Sequence, residues 1–306
     1  MRVSVVVPTW HRPGDLARCL AALDAQTSRP DEVVVVLRDD DAETVGMLRE
    51  RGTRGAPVRA ATVPGPGVVA AVEAGIEAAQ GEVVAITDDD AMPRPDWLER
   101  IERRLAAERN LGGIGGRDFV HEGGRVLDDG RPDVGMVRWF GRVVGNHHLG
   151  VGPAREVDLL KGVNMAFRRE ALDGLRIADR LRGSGIQVHW EADLCLAVKA
   201  GGWRLVYDPA IAVEHYPAQR FDEDQRARRP VSALRNEVFN LTYVLLVRLP
   251  LWRAALAFAY GLVVGTREAP GLVTAVERRA HGHRLATALR ACEGARIDAL
   301  RARLRG

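Results

Sequence analysis

The sequence predicts an α/β fold: a mostly parallel, doubly wound sheet flanked by helices, with a helical C-terminal extension. Three observations predict it. Short β-branched runs alternate with amphipathic helical periods through the first 110 residues. Each run is stopped by Pro, Gly or Asp. The run at residues 83–87 is apolar on both faces, as in a parallel strand, and Asp88-Asp89-Asp90 follows at once.

The elements follow in order. Residues 3–7 form a buried strand that Pro8 ends, and Thr9-Trp10-His11-Arg12 makes a loop. Pro13 opens a helix whose apolar positions Leu16, Cys19, Leu20 and Leu23 recur at helical spacing. Residues 32–37 give a second strand, followed by Asp39-Asp40-Asp41 and a helix over residues 42–51. Residues 58–63 give a third strand. Pro64-Gly65-Pro66-Gly67 breaks the chain before a small-residue helix that runs to Ala79. After the Asp triplet, Pro93 and Pro95 stop the strand, and residues 95–109 form a helix with Trp97, Leu98, Ile101 and Leu105 inward. Such alternation gives right-handed crossovers and parallel strands.

Beyond Leu111 the pattern loosens. Residues 112–119 read as a strand, and residues 122–155 are irregular and rich in Gly and charge. A short strand at 157–160 leads into Lys161-Gly162-Val163-Asn164-Met165-Ala166-Phe167. Helices are expected at 169–172 and 191–200, the latter stopped by Gly201-Gly202. Two short strands, 204–207 and 211–214, end at His215-Tyr216-Pro217. The expected division is a domain over residues 1–216 and a basic helical extension over 217–306.

The extension carries 16 Arg against 8 Asp and Glu, whereas the whole chain is only +3. An acidic partner or anionic surface is implied. Residues 238–266 are its most apolar part, cut by Arg248, Pro250 and Arg253. A spanning helix needs about 20 mostly apolar residues, so two interfacial helices fit better. Two uses fit them: contact with a membrane, or packing on the catalytic domain or within a homodimer. Residues 277–305 read as a basic helix. Cys19, Cys195 and Cys292 give neither a disulfide framework nor metal spacing. With no secretory signal pattern at the start, the expected location is cytoplasmic, or peripheral on the inner face of the plasma membrane. A nucleic-acid partner is not expected.

The Asp triplet places clustered negative charge at the carboxyl end of a buried strand, where open α/β sheets bind ligands. A hard cation such as Mg²⁺ or Mn²⁺ relieves the repulsion and bridges carboxylates to phosphates. The bland alternative is a solvated acidic turn that caps the next helix.

Taken together and in order, the stretch to Pro8-Thr9, the Asp triplet before Pro93, residues 162–169, Glu191-Ala192-Asp193-Leu194, Gly202-Trp203, Pro209 and His215 resemble a family 2 glycosyltransferase with the GT-A fold. The resemblance covers about residues 1–216. It implies inverting transfer of a sugar from a nucleotide-sugar donor to a hydroxyl of a glycan, lipid or small molecule, with Mn²⁺ or Mg²⁺ as cofactor. It makes Asp90 the first metal ligand, with Asp88 and His215 beside it, and leaves open whether Asp88 or Asp89 meets the donor sugar. It puts Pro8, Thr9, His11, Asp39, Asp40 and Gly67 on the donor side, and Gly162, Asn164 and Asp193 on the acceptor side. Glu191 takes the place of the catalytic base, with Asp193 as its competitor. Two departures stand out. Leu37 and Arg38 occupy the place where the family often has an Asp, and Val72-Glu73 replaces its frequent Arg-Asn. A UDP-sugar is the default donor, with GDP- and dTDP-sugars open. The competing readings are a nucleotidyltransferase-like enzyme and a non-catalytic nucleotide-sugar-binding scaffold held at a membrane.

Overall fold

The computed structural model describes residues 1–219, 230–277 and 283–305. The chain forms two compact units, one of residues 1–136, 145–175 and 198–218, the other of residues 137–144, 176–197 and 219–306.

The first unit is built on the alternation expected from the sequence. Its opening elements are β1 (Val3–Pro8), α1 (Pro13–Asp24), β2 (Glu32–Arg38), α2 (Ala42–Arg51), β3 (Val58–Val63), α3 (Val68–Ala78) and β4 (Val83–Ile86). The strands lie in the order β3-β2-β1-β4, all parallel. β1, β2 and β4 are buried almost throughout, which is why they read as unbroken aliphatic runs. Leu16, Cys19, Leu20 and Leu23 of α1 bury as one stripe. Asp41 caps α2 by accepting from the Thr44 amide at 3.1 Å.

The chain then continues through β5 (Ala91–Pro93), α4 (Trp97–Ala107), β6 (Leu111–Glu122) and β7 (Arg125–Val126). β8 (Met136–Val137) and β9 (Val143–Val144) pair with each other in a separate two-stranded sheet. β10 (Arg155–Val157), β11 (Met165–Arg168), α5 (Arg169–Leu172), α6 (Trp190–Ala200) and β12 (Arg204–His215) follow. β11 runs antiparallel to both β4 and β6, and β12 runs parallel to β6. The predicted mostly parallel sheet flanked by helices is present, with β11 as its antiparallel insertion.

Three local expectations change. Residues 204–214 form one strand, not two. Between Asp208 and Ala212 the register against β6 jumps, so residues 209–211 bulge out of the ladder. Pro209, which has no amide to donate, sits in that bulge. Gly116 lies opposite it, and a Cβ there would stand 1.8 Å from the Ile211 carbonyl oxygen. Second, β10 ends at Val157, because the amides of Asp158 and Leu159 both turn to the Gly135 carbonyl, at 2.7 and 2.9 Å. Third, the prolines after the Asp triplet do not prevent β5, which pairs antiparallel with the end of β12.

The second unit holds α7 (Val231–Arg248), α8 (Leu251–Val263), α9 (Leu272–Glu277) and α10 (His283–Leu304). Pro250 divides α7 from α8, so the apolar stretch becomes two helices, as expected. Of the basic helix expected over 277–305, residues 278–282 lie outside the described residues and the rest is α10. Among the described residues no helix is long and apolar enough to cross a membrane. Buried Asn240 of α7 accepts from the Arg182 amide at 2.7 Å and donates to the Arg182 and Val188 carbonyls at 2.8 and 3.0 Å. This ties the segment that enters α6 to the tail helices.

Back in the first unit, His147 is buried and its Nε2 donates to the Leu159 carbonyl at 2.9 Å. Burial depresses the ring's pKa to about 4, against about 6.5 in the unfolded chain. The unfolded state therefore binds more protons between these values. The contribution is complete above about pH 6.5 and is lost as pH falls through 4, roughly 3 kcal/mol in all. Asp89, its pKa raised by burial to about 7, acts in the opposite sense over the same range, so the check is a difference. By urea denaturation, the stability of wild type relative to His147→Phe should fall by roughly 3 kcal/mol from about pH 6.5 to about pH 4.

Candidate active site

The site forms where β4 ends. Thr87 stays in the sheet through its amide to the Val6 carbonyl at 3.1 Å, and its hydroxyl donates to the Val163 carbonyl at 2.9 Å. The chain then turns, the Ala91 amide reaching back to the Asp88 carbonyl at 3.2 Å, and enters β5. Antiparallel pairing sets His215 directly opposite Ala91. This register carries a histidine from the far end of the unit's sequence to the Asp triplet. After His215 the chain folds over Asp90, with the Tyr216 amide on its carbonyl at 2.9 Å and the Ala218 amide on its Oδ2 at 2.8 Å.

Asp88, Asp90 and His215 each present one atom within 4.8 Å of the others. Asp90 and His215 are buried and Asp88 partly so. Asp90 Oδ1 and His215 Nε2 lie 3.4 Å apart, and neither makes a hydrogen bond among the described residues. At that distance the pair attracts as charges without a formed hydrogen bond. Buried polar atoms normally find partners, so two that converge without one are suited to a shared cation. His215 Nδ1 lies 3.3 Å from Asp118 Oδ2, and Lys161 pairs with that same oxygen. A carboxylate behind a histidine fixes its ring and leaves the other nitrogen for a ligand.

The charges adjust to this burial. Burial works to lower His215, but its interactions with Asp118 and Asp90 outweigh it and raise the pKa to about 9. Burial works to raise Asp118 and Asp90; His215 overrides it in both, and both lie below the ordinary carboxylate range. Asp88 is raised by burial and by its neighbour Asp90.

Asp89 has other partners. It accepts from the Thr9 hydroxyl at 2.7 Å and from Arg12 at 3.0 Å, and burial raises its pKa to about 7 against the pull of Arg12. It thereby links the triplet to the loop after β1. Pro8 closes that strand, and His11 adopts a left-handed φ of 53° with its amide held by Asp41 at 2.7 Å. Asp39 and Asp40 are exposed at the end of β2, Asp40 3.0 Å from Arg38. Arg38 also lies over the Trp10 ring, 4.1 Å from its centroid. Gly67 caps α3 at a φ of 135°, open to glycine.

Two residues expected on the acceptor side have their side chains committed within the protein. Asn164 is buried, accepts from the Trp97 indole at 2.8 Å, and donates to the Arg117 and Ile211 carbonyls at 3.2 and 2.9 Å. It braces the turn that contains buried Gly162. Asp193, in the second unit, is 0% exposed. Arg248 of α7 binds it with both arms, at 2.8 and 2.7 Å, and the Ala178 amide donates at 2.9 Å. Those bonds occupy the carboxylate that competed with Glu191. Glu191 lies in the first turn of α6, partly buried, two residues after His189, whose φ is +74°.

Sequence reasoning missed Asp118, Lys161 and Arg12. The available signal was Asp118 itself, a charge inside a run that reads as a buried strand. Buried charges are almost always paired.

Known proteins match this chain in sequence and in fold. Residues 1–230 match the family described as glycosyltransferase like family 2. A glucosyl-dolichyl phosphate glucuronosyltransferase of Haloferax volcanii is 29% identical over 225 residues, 70% of this chain and 69% of that protein. Among solved structures, a mannosyltransferase from Pyrobaculum calidifontis in complex with GDP-Man and Mn²⁺ superposes with a TM-score of 0.55 at 20% identity, covering 99% of this chain and 87% of the other. S. aureus TarS residues 1–349 in complex with UDP-GlcNAc gives 0.59 at 15% identity, covering 99% and 90%. These structures share the fold. The fold is that of a GT-A glycosyltransferase, and the spacing of Asp88 and Asp90 fits an Asp-x-Asp pattern. The chain belongs to glycosyltransferase family 2 and is an enzyme of that transferase type.

Arg248→Ala should leave the Asp193 charge buried without its counter-charge, held only by the Ala178 amide. Breaking a buried pair costs about 3–5 kcal/mol, so the urea midpoint should drop sharply. Asp193→Leu combined with Arg248→Met should recover most of that loss. Additive losses in the pair would show that the ion pair is not the cause.

Proposed function

We propose that this chain moves a sugar from a nucleotide-sugar, a UDP-sugar in the first instance, to a hydroxyl of a glycan, lipid or small-molecule acceptor, with inversion at the anomeric carbon. The observation that carries the proposal is the convergence of Asp88, Asp90 and His215 at the carboxyl end of β4, with Asp90 Oδ1 and His215 Nε2 buried and lacking hydrogen bonds among the described residues. Two carboxylates and an imidazole suit Mn²⁺ better than Mg²⁺. The ion, held by these three side chains, would supply positive charge to a departing diphosphate. The other residues divide the remaining work. Asp118 and Lys161 hold the His215 ring. Arg12, through Asp89, fixes the loop of Pro8, Thr9 and His11 beside the donor, while Asp39, Asp40 and Gly67 border the same end of the sheet.

Glu191 is assigned as the base. Its carboxylate takes the proton of the acceptor hydroxyl as that oxygen bonds to the anomeric carbon. The anomeric carbon–phosphate oxygen bond breaks, and its electron pair leaves with the nucleoside diphosphate. A single displacement of this kind inverts the centre. Asp193 is fully committed to Arg248 and Ala178, which supports Glu191 over it.

The tail supports a location at the inner face of an anionic membrane. Its net charge is strongly positive, and α8 exposes Leu251 at 87% and Trp252 at 61%. Exposed apolar residues with Trp among them, on a helix flanked by Arg, suit an interfacial position.

Incubation with UDP-, GDP- and dTDP-sugars and Mn²⁺ should release nucleoside diphosphate; pyrophosphate would favour a nucleotidyltransferase instead. Asp90→Asn should abolish Mn²⁺-dependent donor binding, read by calorimetry, without lowering the melting temperature. Undiminished Mn²⁺-dependent binding would remove the metal assignment. Glu191→Gln should keep donor affinity while transfer falls about 10²–10⁴-fold, the usual contribution of a general base. A near-normal transfer rate would rule out that role.

A further inference from the structure

The second unit contains a cavity that the reaction as proposed does not use. Its volume is 240 Å³. Leu241, Leu246 and Phe258 line its α7 and α8 side, and His189, Glu237, Glu268 and Arg296 line other parts of it. On a comparable measure a water needs only about 10–15 Å³, and an apolar cavity of about 150 Å³ stays dry and takes up small apolar molecules. Its aliphatic and aromatic part, along α7 and α8, has room for a stretch of hydrocarbon, and its charged part suits a polar head group.

α8 itself is the second observation. Ala254, Ala257, Phe258 and Gly261 recur at helical spacing along its cavity face. Leu251, Trp252, Leu256 and Val263 are exposed on the rest of it. Apart from Arg253, α8 is largely apolar, and so apolar a helix is normally buried on every side. Here its outer face is open, and Trp139 at 65% and Val276 at 63%, from the neighbouring 137–144 segment and α9, extend the exposed apolar surface. Arg253 of α8 donates to the Val137 carbonyl at 3.1 Å, and Phe140 packs edge-on to Tyr260 at 4.8 Å, so this segment and α8 are in contact. One apolar helix thus separates the cavity from a surface suited to a bilayer.

The third observation is His189. It lines the cavity and stands two residues before Glu191, with a left-handed backbone. Asn240 of α7 holds the adjoining Val188 carbonyl at 3.0 Å. The wall of the cavity is therefore continuous with the start of the helix that carries Glu191.

We propose that this cavity holds the hydrocarbon chain of an amphipathic lipid acceptor, presenting the hydroxyl at its polar end to Glu191. This rests on the reading of Glu191 as the base and narrows the acceptor from any hydroxyl compound to a lipid-borne one. The chain enters from the membrane side of α8, and its head group stays with the α6 segment. Each buried methylene favours binding about fourfold, so a free sugar lacking the chain binds this unit far more weakly.

The test uses the full chain with Mn²⁺ and UDP, titrated calorimetrically with dodecyl glucoside below its micelle concentration and with methyl glucoside as control. Saturable binding of dodecyl glucoside alone is expected. Leu241→Trp and Leu246→Trp fill the cavity and should weaken binding tenfold or more, a change of about 1.4 kcal/mol. Leu256→Glu, on the outer face, should retain it while losing association with anionic vesicles. A diazirine-bearing dodecyl glucoside should label α7 and α8 at the cavity in the unsubstituted protein, a measurement independent of how the filled variants fold. No saturable binding by the wild type, labelling elsewhere, or unchanged binding by both filled variants would overturn the proposal, as would loss only in Leu256→Glu. Glu191→Gln separates the two readings. Retained dodecyl glucoside binding with lost transfer supports both, whereas retained binding with normal transfer removes the base assignment and leaves the lipid site standing.

Discussion

Charge burial at the carboxyl end of β4 is the constraint on which the first unit depends. Asp89, Asp90 and Asp118 are buried there, with Asp88 partly covered. Carboxylates packed this closely would ordinarily lose their protons with difficulty, and Asp88 and Asp89 show that pressure in their raised pKa values. The fold meets it with cations from three separate places: Arg12 after β1, Lys161 before β11 and His215 at the end of β12. Each is delivered by backbone geometry. The parallel β1–β4 ladder brings Arg12 alongside, and the β5–β12 register brings His215. The sheet order and the electrostatics of the site are therefore one problem with one solution.

This explains what the sequence could and could not reveal. The first four strands and four helices were legible because their signals are local. A β-branched run, a proline or glycine stop and a helical period each lie within a dozen residues. α2 and β3 have the bounds their sequence suggests. Asp88, Asp90 and His215 were legible through family resemblance. Asp118 was not, because its meaning comes from a histidine 97 residues away. β12 read as two strands because Pro209 looks like a stop, and only the partner strand shows that the residues around it bulge and the ladder resumes. β5 was too short to carry a pattern of its own.

The acceptor-side expectations met a different obstacle. Asn164 and Asp193 are polar residues in motif positions, and polarity alone does not separate a group that faces a ligand from one that braces the protein. Asn164 has a Trp97 indole on its oxygen and two carbonyls on its nitrogen. Both of its amide hydrogens and one lone pair of its oxygen are spent internally. Asp193 is held by an arginine 55 residues downstream. Such commitments appear only when distant segments are packed.

The Asp193–Arg248 contact has a consequence for how such chains can change over time. α6 begins with the proposed base, and its buried carboxylate is neutralised by a residue from the tail. A tail replaced wholesale by recombination would arrive without Arg248 and leave that charge stranded beneath the helix. Of the two residues, neither can drift alone without a penalty. They are expected to be inherited as a pair, so the history of the tail is bound to that of the helix it supports.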